Sequence, residues 1–342
     1  MVVSELASKP ASTADMSLDE AERVFSAILD GDMPLDEAGD LLVALSRRGE
    51  SEDEILGCVR AMMRRVEPSD FGPLDPIDIG GTGGDRLGTF NISTTAAFVV
   101  AGAGVPVLKH GNRGFSSRSG SADMVEALGI ALPRLADHAH VRACLDGAGL
   151  AYLFTPAHHR FPDGLNALRK RLGIRTIFNL AGPLAHPARL RRQMVGVSAP
   201  GLLPVFCNVL ARSGRQQAWI FHGDDGADEV SISGPTTVCE LWSGRSVSFR
   251  LAPEDFGIRR APVSAIRGGD GADNAALCLC ILSGADGPKT DAVLLCAASA
   301  FVFAGVTPTF GEGVALAREA IGSGAAARVV KTLREVSHDG RG

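Results

Sequence analysis

The chain has 342 residues, enough for one large core or two domains. Its 45% hydrophobic and 21% charged residues are those of an ordinary globular protein. A formal net charge of -5 argues against broad capture of nucleic acid or membrane, so an anionic substrate would have to be held by a local cluster.

Residues 1–16 are polar, rich in Ser, Ala and Thr, and read as a flexible tail without the apolar stretch of a signal peptide. Residues 17–72 read as a small helical domain. Ser17-Leu18-Asp19-Glu20 and Ser51-Glu52-Asp53-Glu54 both fit a capping box, and Pro34 sits in the first turn of a helix between them. Apolar residues recur at helical spacing in all three segments, as Val24, Phe25 and Ile28, then Leu41, Leu42 and Leu45, then Ile55, Val59 and Met62. Pro and Gly within residues 68–76 mark a linker.

Strands and helices alternate from there, over residues 73–338. Short strands at 77–79, 105–108, 151–154, 193–196 and 218–222 are interleaved with helices at 93–102, 121–128, 164–172 and 202–213. This predicts an α/β domain with a mainly parallel central sheet and surrounding helices. Helices near 164–190 are expected to complete the helical domain. Residues 229–252 predict an antiparallel β segment, and helices near 289–305 and 311–322 close the chain. The seven cysteines form no C-x-x-C pair and read as buried free thiols of a reducing compartment. The longest apolar runs are broken by Gly and too short to span a bilayer, so the expected location is the cytoplasm, with neither nucleic acid nor membrane as partner.

Chemistry concentrates in loops that follow strands. Gly81-Thr82-Gly83-Gly84-Asp85 leaves a strand end, where open α/β sheets place ligands. Its glycines let backbone N–H groups approach an anion, although a plain turn would also use them. Position 86 is Arg, so the dinucleotide fingerprint fails, and no Gly-Lys-Ser/Thr follows to make a P-loop. Thr89, Asn91, Ser93 and Thr94 crowd the start of the next helix, an anion site or a simple cap. Lys109-His110-Gly111-Asn112-Arg113 and Ser116-Ser117 fill a second loop, and Gly120-Ser121-Ala122-Asp123 opens another helix. Asp228 and Glu229 form an acidic pair that suits Mg²⁺, or else a solvated turn. Arg169, Lys170 and Arg171 fan out around a helix, so only one or two can face a site.

Read together, these motifs closely resemble the anthranilate phosphoribosyltransferases over about residues 17 to 335. Arg175-Thr176-Ile177-Phe178-Asn179 and Gly182-Pro183-Leu184 add to the resemblance. It implies a fold related to nucleoside phosphorylases, a homodimer built through the helical domain, and a site at the hinge between domains. It implies transfer of the phosphoribosyl group of phosphoribosyl pyrophosphate to the amine of anthranilate, in tryptophan biosynthesis. Gly81, Gly84, Asp85, Thr89, Asn91, Ile92, Ser93 and Thr94 would then bind the donor. Lys109, His110, Gly111, Asn112, Arg113, Ser116, Ser117 and Ser121 would complete that set. Ser93, Asp228 and Glu229 would hold two Mg²⁺ ions per subunit. Gly81, Asn112 and Arg169 would contact anthranilate, with His110 lining its approach. No residue is assigned as a chemical catalyst, since positioning and electrostatics suffice, with Lys109 and His110 in support.

Several positions depart from the family pattern, all on the acceptor side. His159-Arg160-Phe161-Pro162 stands for His-Pro-Ala-Met, His186 stands for Asn, and Ala181 stands where Leu is common. Two alternatives follow: the same donor with another aromatic amine, or a nucleoside phosphorylase of related fold. The second would carry Lys-x-Ser-Gly-Arg, where this chain has Lys109-His110-Gly111-Asn112-Arg113.

Overall fold

The capping boxes form as their sequences require. Ser17 and Ser51 accept the backbone N–H of Glu20 and Glu54, whose carboxylates return to the serine N–H groups. They start α1 (Leu18–Asp30) and α3 (Glu52–Met63), with α2 (Leu35–Arg48) between them. The structure is a computed structural model and describes residues 14–67, 74–114, 118–132, 135, 137–188 and 190–339. The expected tail thus lies outside the described residues up to 13, and the expected linker at 68–73. Asp15 is not part of a free tail: it pairs with Arg48 at 2.6 Å, and the Met16 N–H donates to buried Glu54.

One seven-stranded sheet forms the centre, in the order β3-β2-β1-β4-β5-β6-β7. β1 (Ile77–Gly81), β2 (Val107–Gly111), β3 (Leu150–Phe154), β4 (Arg192–Gly196) and β5 (Gln217–Gly223) run parallel. β6 (Thr236–Trp242) and β7 (Arg245–Leu251) add an antiparallel edge, as the alternation in 229–252 foretells. The α/β class with a mainly parallel sheet is therefore the one observed. The chain leaves β1 toward β2 and β3, then returns to β4 on its other side. The carboxyl ends of β1 and β4 thus flank a topological switch point, where such sheets bind ligands.

The remaining helices are α4 (Ile92–Gly102), α5 (Ser121–Ala127), α6 (His138–Ala148), a short α7 (Thr155–His158), α8 (Leu165–Leu172), α9 (Ile177–Leu184) and α10 (Leu202–Arg212). After the hairpin come α11 (Gly271–Leu282), α12 (Pro288–Phe303), α13 (Phe310–Gly322) and α14 (Ala325–His338). Four of these, α6, α7, α11 and α14, correct the sequence reading. In α11 the run Ala276-Leu277-Cys278-Leu279-Cys280-Ile281-Leu282 carries no helical stripe, and α14 follows a Gly-Ser-Gly run that reads as an ending. β2 also starts two residues later than expected and takes in Lys109 and His110, which pair with Tyr152 and Leu153 of β3.

Two apolar clusters hold the molecule. One packs α4, α5, α6, α12 and α14 against β1, β2 and β3. The other joins Phe25, Leu42 and Ile55 of α1–α3 to Leu165, Phe178 and Phe206 of α8, α9 and α10, and to Val195, Ile220 and Leu241 of β4, β5 and β6. The N-terminal helices thus roof part of the sheet. The cysteines are free; Cys280 is exposed and the other six are buried, so the expectation of buried thiols fails at Cys280 alone. Among the described residues no helix is long and apolar enough to cross a membrane.

Candidate active site

Glycines at the ends of β1 and β4 make room for one carboxylate. Gly81 and Gly196 are register partners, and Asp228 lies against both. A Cβ on Gly81 would sit 2.5 Å from Asp228 Oδ2, and one on Gly196 1.8 Å from the Asp228 backbone oxygen. The following loop needs left-handed backbone at Gly83 (φ 66) and Gly84 (φ 83), which glycine adopts without strain. Gly83 N–H then donates to Asp228 Oδ2 at 2.5 Å, joining the glycine loop to the acidic pair.

Glu229 faces the start of α4, where its Oε1 accepts the Ser93 N–H at 3.2 Å. Lys109 is almost fully buried; its Nζ donates to the Ile79 carbonyl and lies 3.4 Å from Ser93 Oγ. The structure therefore brings Gly81, Asp85, Ser93, Lys109, Asp228 and Glu229 to one place from separate stretches of chain. Burial, followed by the carboxylates of Asp85 and Glu229, pushes the Asp228 carboxyl well above the usual range. Burial raises Glu229 to about 7 against the pull of Lys109. Burial lowers Lys109, opposed mainly by Asp78 and then by Glu229. Asp85 Oδ2 and Glu229 Oε2 are buried and accept no hydrogen bond. The pocket thus concentrates negative charge with unused oxygens beside one ammonium.

The other expected donor residues surround this cluster. Thr89 forms a β-bridge to Arg267, and Asn91 N-caps α4 with its side chain held by Asn274 at 2.8 Å. Ile92 and Thr94 lie buried in the first turn of α4. Gly84 and Asn112 are exposed. Gly111 packs under Ser121 and Tyr152, where a Cβ would come within 2.2 Å of Ser121 Oγ. Asp123 accepts the N–H groups of Gly114 and Gly120 at 2.9 and 2.8 Å and so ties these two glycines to the start of α5. Arg113 is turned outward onto Glu126 at 2.7 Å. Ser116 and Ser117 lie outside the described residues.

Arg169 stands on α8, in contact with α9 and not with the carboxylate cluster. Its guanidinium lies over the rings of Phe161 and Phe178, at 5.6 and 5.3 Å, and reaches Asn179 Oδ1 at 3.4 Å. Burial lowers it to about 10, still charged at neutral pH. Three buried histidines, His110, His159 and His186, cluster together. The ring of His110 is 5.8 Å from His159 and 5.3 Å from His186. Thr155 Oγ1 donates to the Gly111 carbonyl and so accepts from His110 Nε2 at 3.0 Å. The arrangement is thus a carboxylate and lysine cluster at the ends of β1 and β4, with a separate cation on α8 packed against two aromatic rings.

Asn274, Asp78 and Gln193 escaped the sequence reading. Each is a buried polar side chain bonded to another polar side chain far away in the chain. For Asp78 the available signal is a carboxylate between Ile77 and Ile79, immediately before the glycine loop.

Comparison with known proteins gives a consistent result. Residues 74–327 match the glycosyl transferase family, a/b domain, and residues 4–66 match the glycosyl transferase family, helical bundle domain. The chain is 44% identical over 329 residues to anthranilate phosphoribosyltransferase of Rhodopseudomonas palustris strain HaA2, covering 96% of each chain. It superposes on the crystal structure of the enzyme of that name from Thermus thermophilus with a TM-score of 0.89 and 39% identity, covering 98% of this chain and 99% of the other. The Saccharomyces cerevisiae enzyme in complex with PRPP and Mg superposes with a TM-score of 0.86 at 27% identity, covering 98% of this chain and 96% of the other. The same yeast enzyme has been solved with 4-fluoroanthranilate, at a TM-score of 0.87 and 26% identity, with 98% of each chain covered.

Proposed function

This chain belongs to the anthranilate phosphoribosyltransferase family, and on that premise we propose that it transfers the phosphoribosyl group of 5-phosphoribosyl 1-pyrophosphate (PRPP) to the amine of anthranilate. Pyrophosphate is released, and the reaction belongs to tryptophan biosynthesis. The observation that carries this reading is the convergence of Asp228, Glu229 and Asp85 on Lys109 and Ser93 at the carboxyl ends of β1 and β4.

The residues fit Mg²⁺. Asp85 Oδ2 and Glu229 Oε2 are buried without partners, and the raised carboxyls mark a place that favours a cation. Among the described residues no three His, Cys, Asp or Glu side chains form a closed metal cage. Mg²⁺ suits such a site, since it commonly takes one or two carboxylates and completes its shell with water and substrate phosphate. Ser93, Asp228 and Glu229 would hold two ions. When bound, Mg²⁺ neutralises charge on the pyrophosphate leaving group.

The chain's own groups do the rest. As the bond from ribose C1 to pyrophosphate lengthens, negative charge grows on the leaving oxygen and oxocarbenium character on the sugar. The Lys109 ammonium meets that negative charge in a site of low dielectric. The Asn91 side chain makes no cap bond, and the Ile92 and Ser93 N–H groups donate to the Phe90 carbonyl and Glu229, which leaves the Thr94 N–H of the first turn of α4 for phosphate. Gly111, Asn112 and Ser121 line the donor's ribose and phosphate side, on a loop set by Asp123. Arg169 pairs with the anthranilate carboxylate, its plane fixed by Phe161 and Phe178. Gly81 and Asn112 bound the acceptor, and His110 lines its approach. The aromatic amine is already nucleophilic, so orientation replaces a strong base.

A homodimer joined through the helical region, in the cytoplasm, completes the proposal. The test is purified protein with PRPP, Mg²⁺ and anthranilate, followed by loss of anthranilate fluorescence. Consumption should need all three. Unchanged fluorescence with all three present would reject anthranilate as acceptor.

A further inference from the structure

β1 and β2 are neighbours in the sheet but barely pair. Their ladder holds one register pair, Ile77 with Val107, whereas β1 pairs with β4, and β2 with β3, over five residues each. In an unbroken parallel ladder the His110 N–H would donate to the Ile79 carbonyl. Here both groups are diverted to side chains. The His110 N–H donates to Asp78 Oδ1 at 3.2 Å, and the Ile79 carbonyl accepts from Lys109 Nζ. The Leu108 carbonyl is in turn bonded by His186 Nε2 at 3.0 Å. Buried backbone groups must find partners, so these side chains stand in for the missing ladder.

Asp78 does not act alone. Its Oδ2 accepts from Gln193 Nε2 at 3.1 Å, and Gln193 on β4 is fully buried. The same amide nitrogen donates to the Pro183 carbonyl at 2.8 Å, one of the last carbonyls of α9, which the helix itself leaves unsatisfied. Gln193 Oε1 accepts from Arg215 Nε at 3.2 Å. One buried pair thus ties the backbone of the Lys109–His110 segment to α9. The other end of α9 carries Phe178 and Asn179, both of which touch Arg169.

We propose that Asp78 and Gln193 are positioning residues that hold the donor loop and the acceptor-side helix in register with each other. Asp78 sets the Lys109–His110 backbone, and Gln193 transmits that setting to α9 through Pro183. The inference rests on the assignment of Lys109 to the donor and Arg169 to the acceptor.

The test uses Asp78→Asn, Gln193→Leu and the double variant Asp78→Asn/Gln193→Glu. In Asp78→Asn one oxygen still serves His110, but an amide nitrogen faces the Gln193 amide nitrogen, donor against donor. PRPP affinity with Mg²⁺, read by titration calorimetry, should fall about tenfold, the scale of one charge-assisted hydrogen bond. The double variant exchanges the two functional groups and restores a donor opposite an acceptor, so affinity should return to within about threefold of native. Its KM for anthranilate should nevertheless be raised, because a carboxylate at position 193 offers the Pro183 carbonyl no donor. Gln193→Leu should raise the anthranilate KM about tenfold while PRPP affinity stays within about twofold. A merely structural role would lower the melting temperature without this split or this rescue. Native constants in all three folded variants would overturn the inference, as would a double variant that binds PRPP no better than Asp78→Asn alone. A native protein that fails to bind PRPP with Mg²⁺ would overturn the proposed function as well. A native protein that binds PRPP but does not consume anthranilate would overturn only the acceptor assignment and, with it, the Gln193 arm.

Discussion

Gly81 leaves Asp228 no spare room: a Cβ at that position would lie 2.5 Å from Oδ2 and 3.0 Å from the backbone oxygen. The φ of Gly81 is not in the left-handed region, so an alanine there is excluded by contact and not by backbone strain. Gly81→Ala should push the Asp228 carboxylate out of place and break its bond to Gly83. The expected result is at least about a tenfold loss of Mg²⁺-dependent PRPP affinity with the fold retained, checked by titration calorimetry and circular dichroism.

Asp228→Asn with Glu229→Gln removes the acidic pair without changing its shape. Outer-shell partners of metal sites alone cost about 10–100-fold, so turnover should drop by at least about a hundredfold and not recover in excess Mg²⁺. Metal-free stability should move the other way. The folded carboxyls titrate above their unfolded values, so stability is present below the unfolded range and lost as pH rises through the folded pKa, about 7 for Glu229. At pH 8 without metal the double variant should therefore melt higher than the native protein. The gap should close near pH 4, as measured by thermal melts in chelator.

Arg169 rests against two rings that also touch each other, so its plane matters as well as its charge. Arg169→Ala should raise the anthranilate KM by about tenfold or more and leave the PRPP KM within about twofold. Arg169→Lys should restore little, because an ammonium cannot stack or bind a carboxylate bidentately. Phe161→Ala should cost only about two- to fivefold in the same constant, the size of one exposed cation–π contact. Steady-state kinetics with each substrate varied in turn distinguishes these outcomes.

His186 is fully buried, with Nδ1 accepting the Ala188 N–H at 3.1 Å and Nε2 facing the Leu108 carbonyl at 3.0 Å. That pattern fits a neutral ring, and burial lowers its pKa to about 3. The unfolded ring takes up a proton near 6.5, so stability present above that pH is lost as pH falls toward 3. By pH 4.5 this amounts to about 2–3 kcal/mol from His186 alone. His186→Asn should flatten the acid side of the stability profile by that amount, checked by urea unfolding at pH 7.5 and 4.5.

The residues that cluster at the ends of β1 and β4 were legible because their signals are local. A glycine cluster after a strand, hydroxyls at a helix start and an acidic pair are each visible within a few residues. Asp78, Gln193 and Asn274 were not, because a single polar residue looks the same whether it faces water or a buried partner more than a hundred positions away. The start of β2 was misplaced for a related reason. Lys109 and His110 read as loop residues, yet β3 supplies the pairing that keeps them in the sheet. The alternating strands and helices gave the class of fold directly. The third helix of the closing set, α14, was hidden by the glycines in front of it.

The shared cluster beneath the N-terminal helices bears on how the chain is made. Phe25 and Ile55 find part of their cover in Leu165, Phe178 and Phe206. During synthesis, α1 to α3 therefore leave the ribosome about a hundred residues ahead of the helices that seal them, a delay that raises contact order and prolongs exposure. A nascent chain stalled before residue 165 should bind a holdase chaperone through these helices, whereas one released after residue 242, with β5 and β6 made, can close them over the sheet.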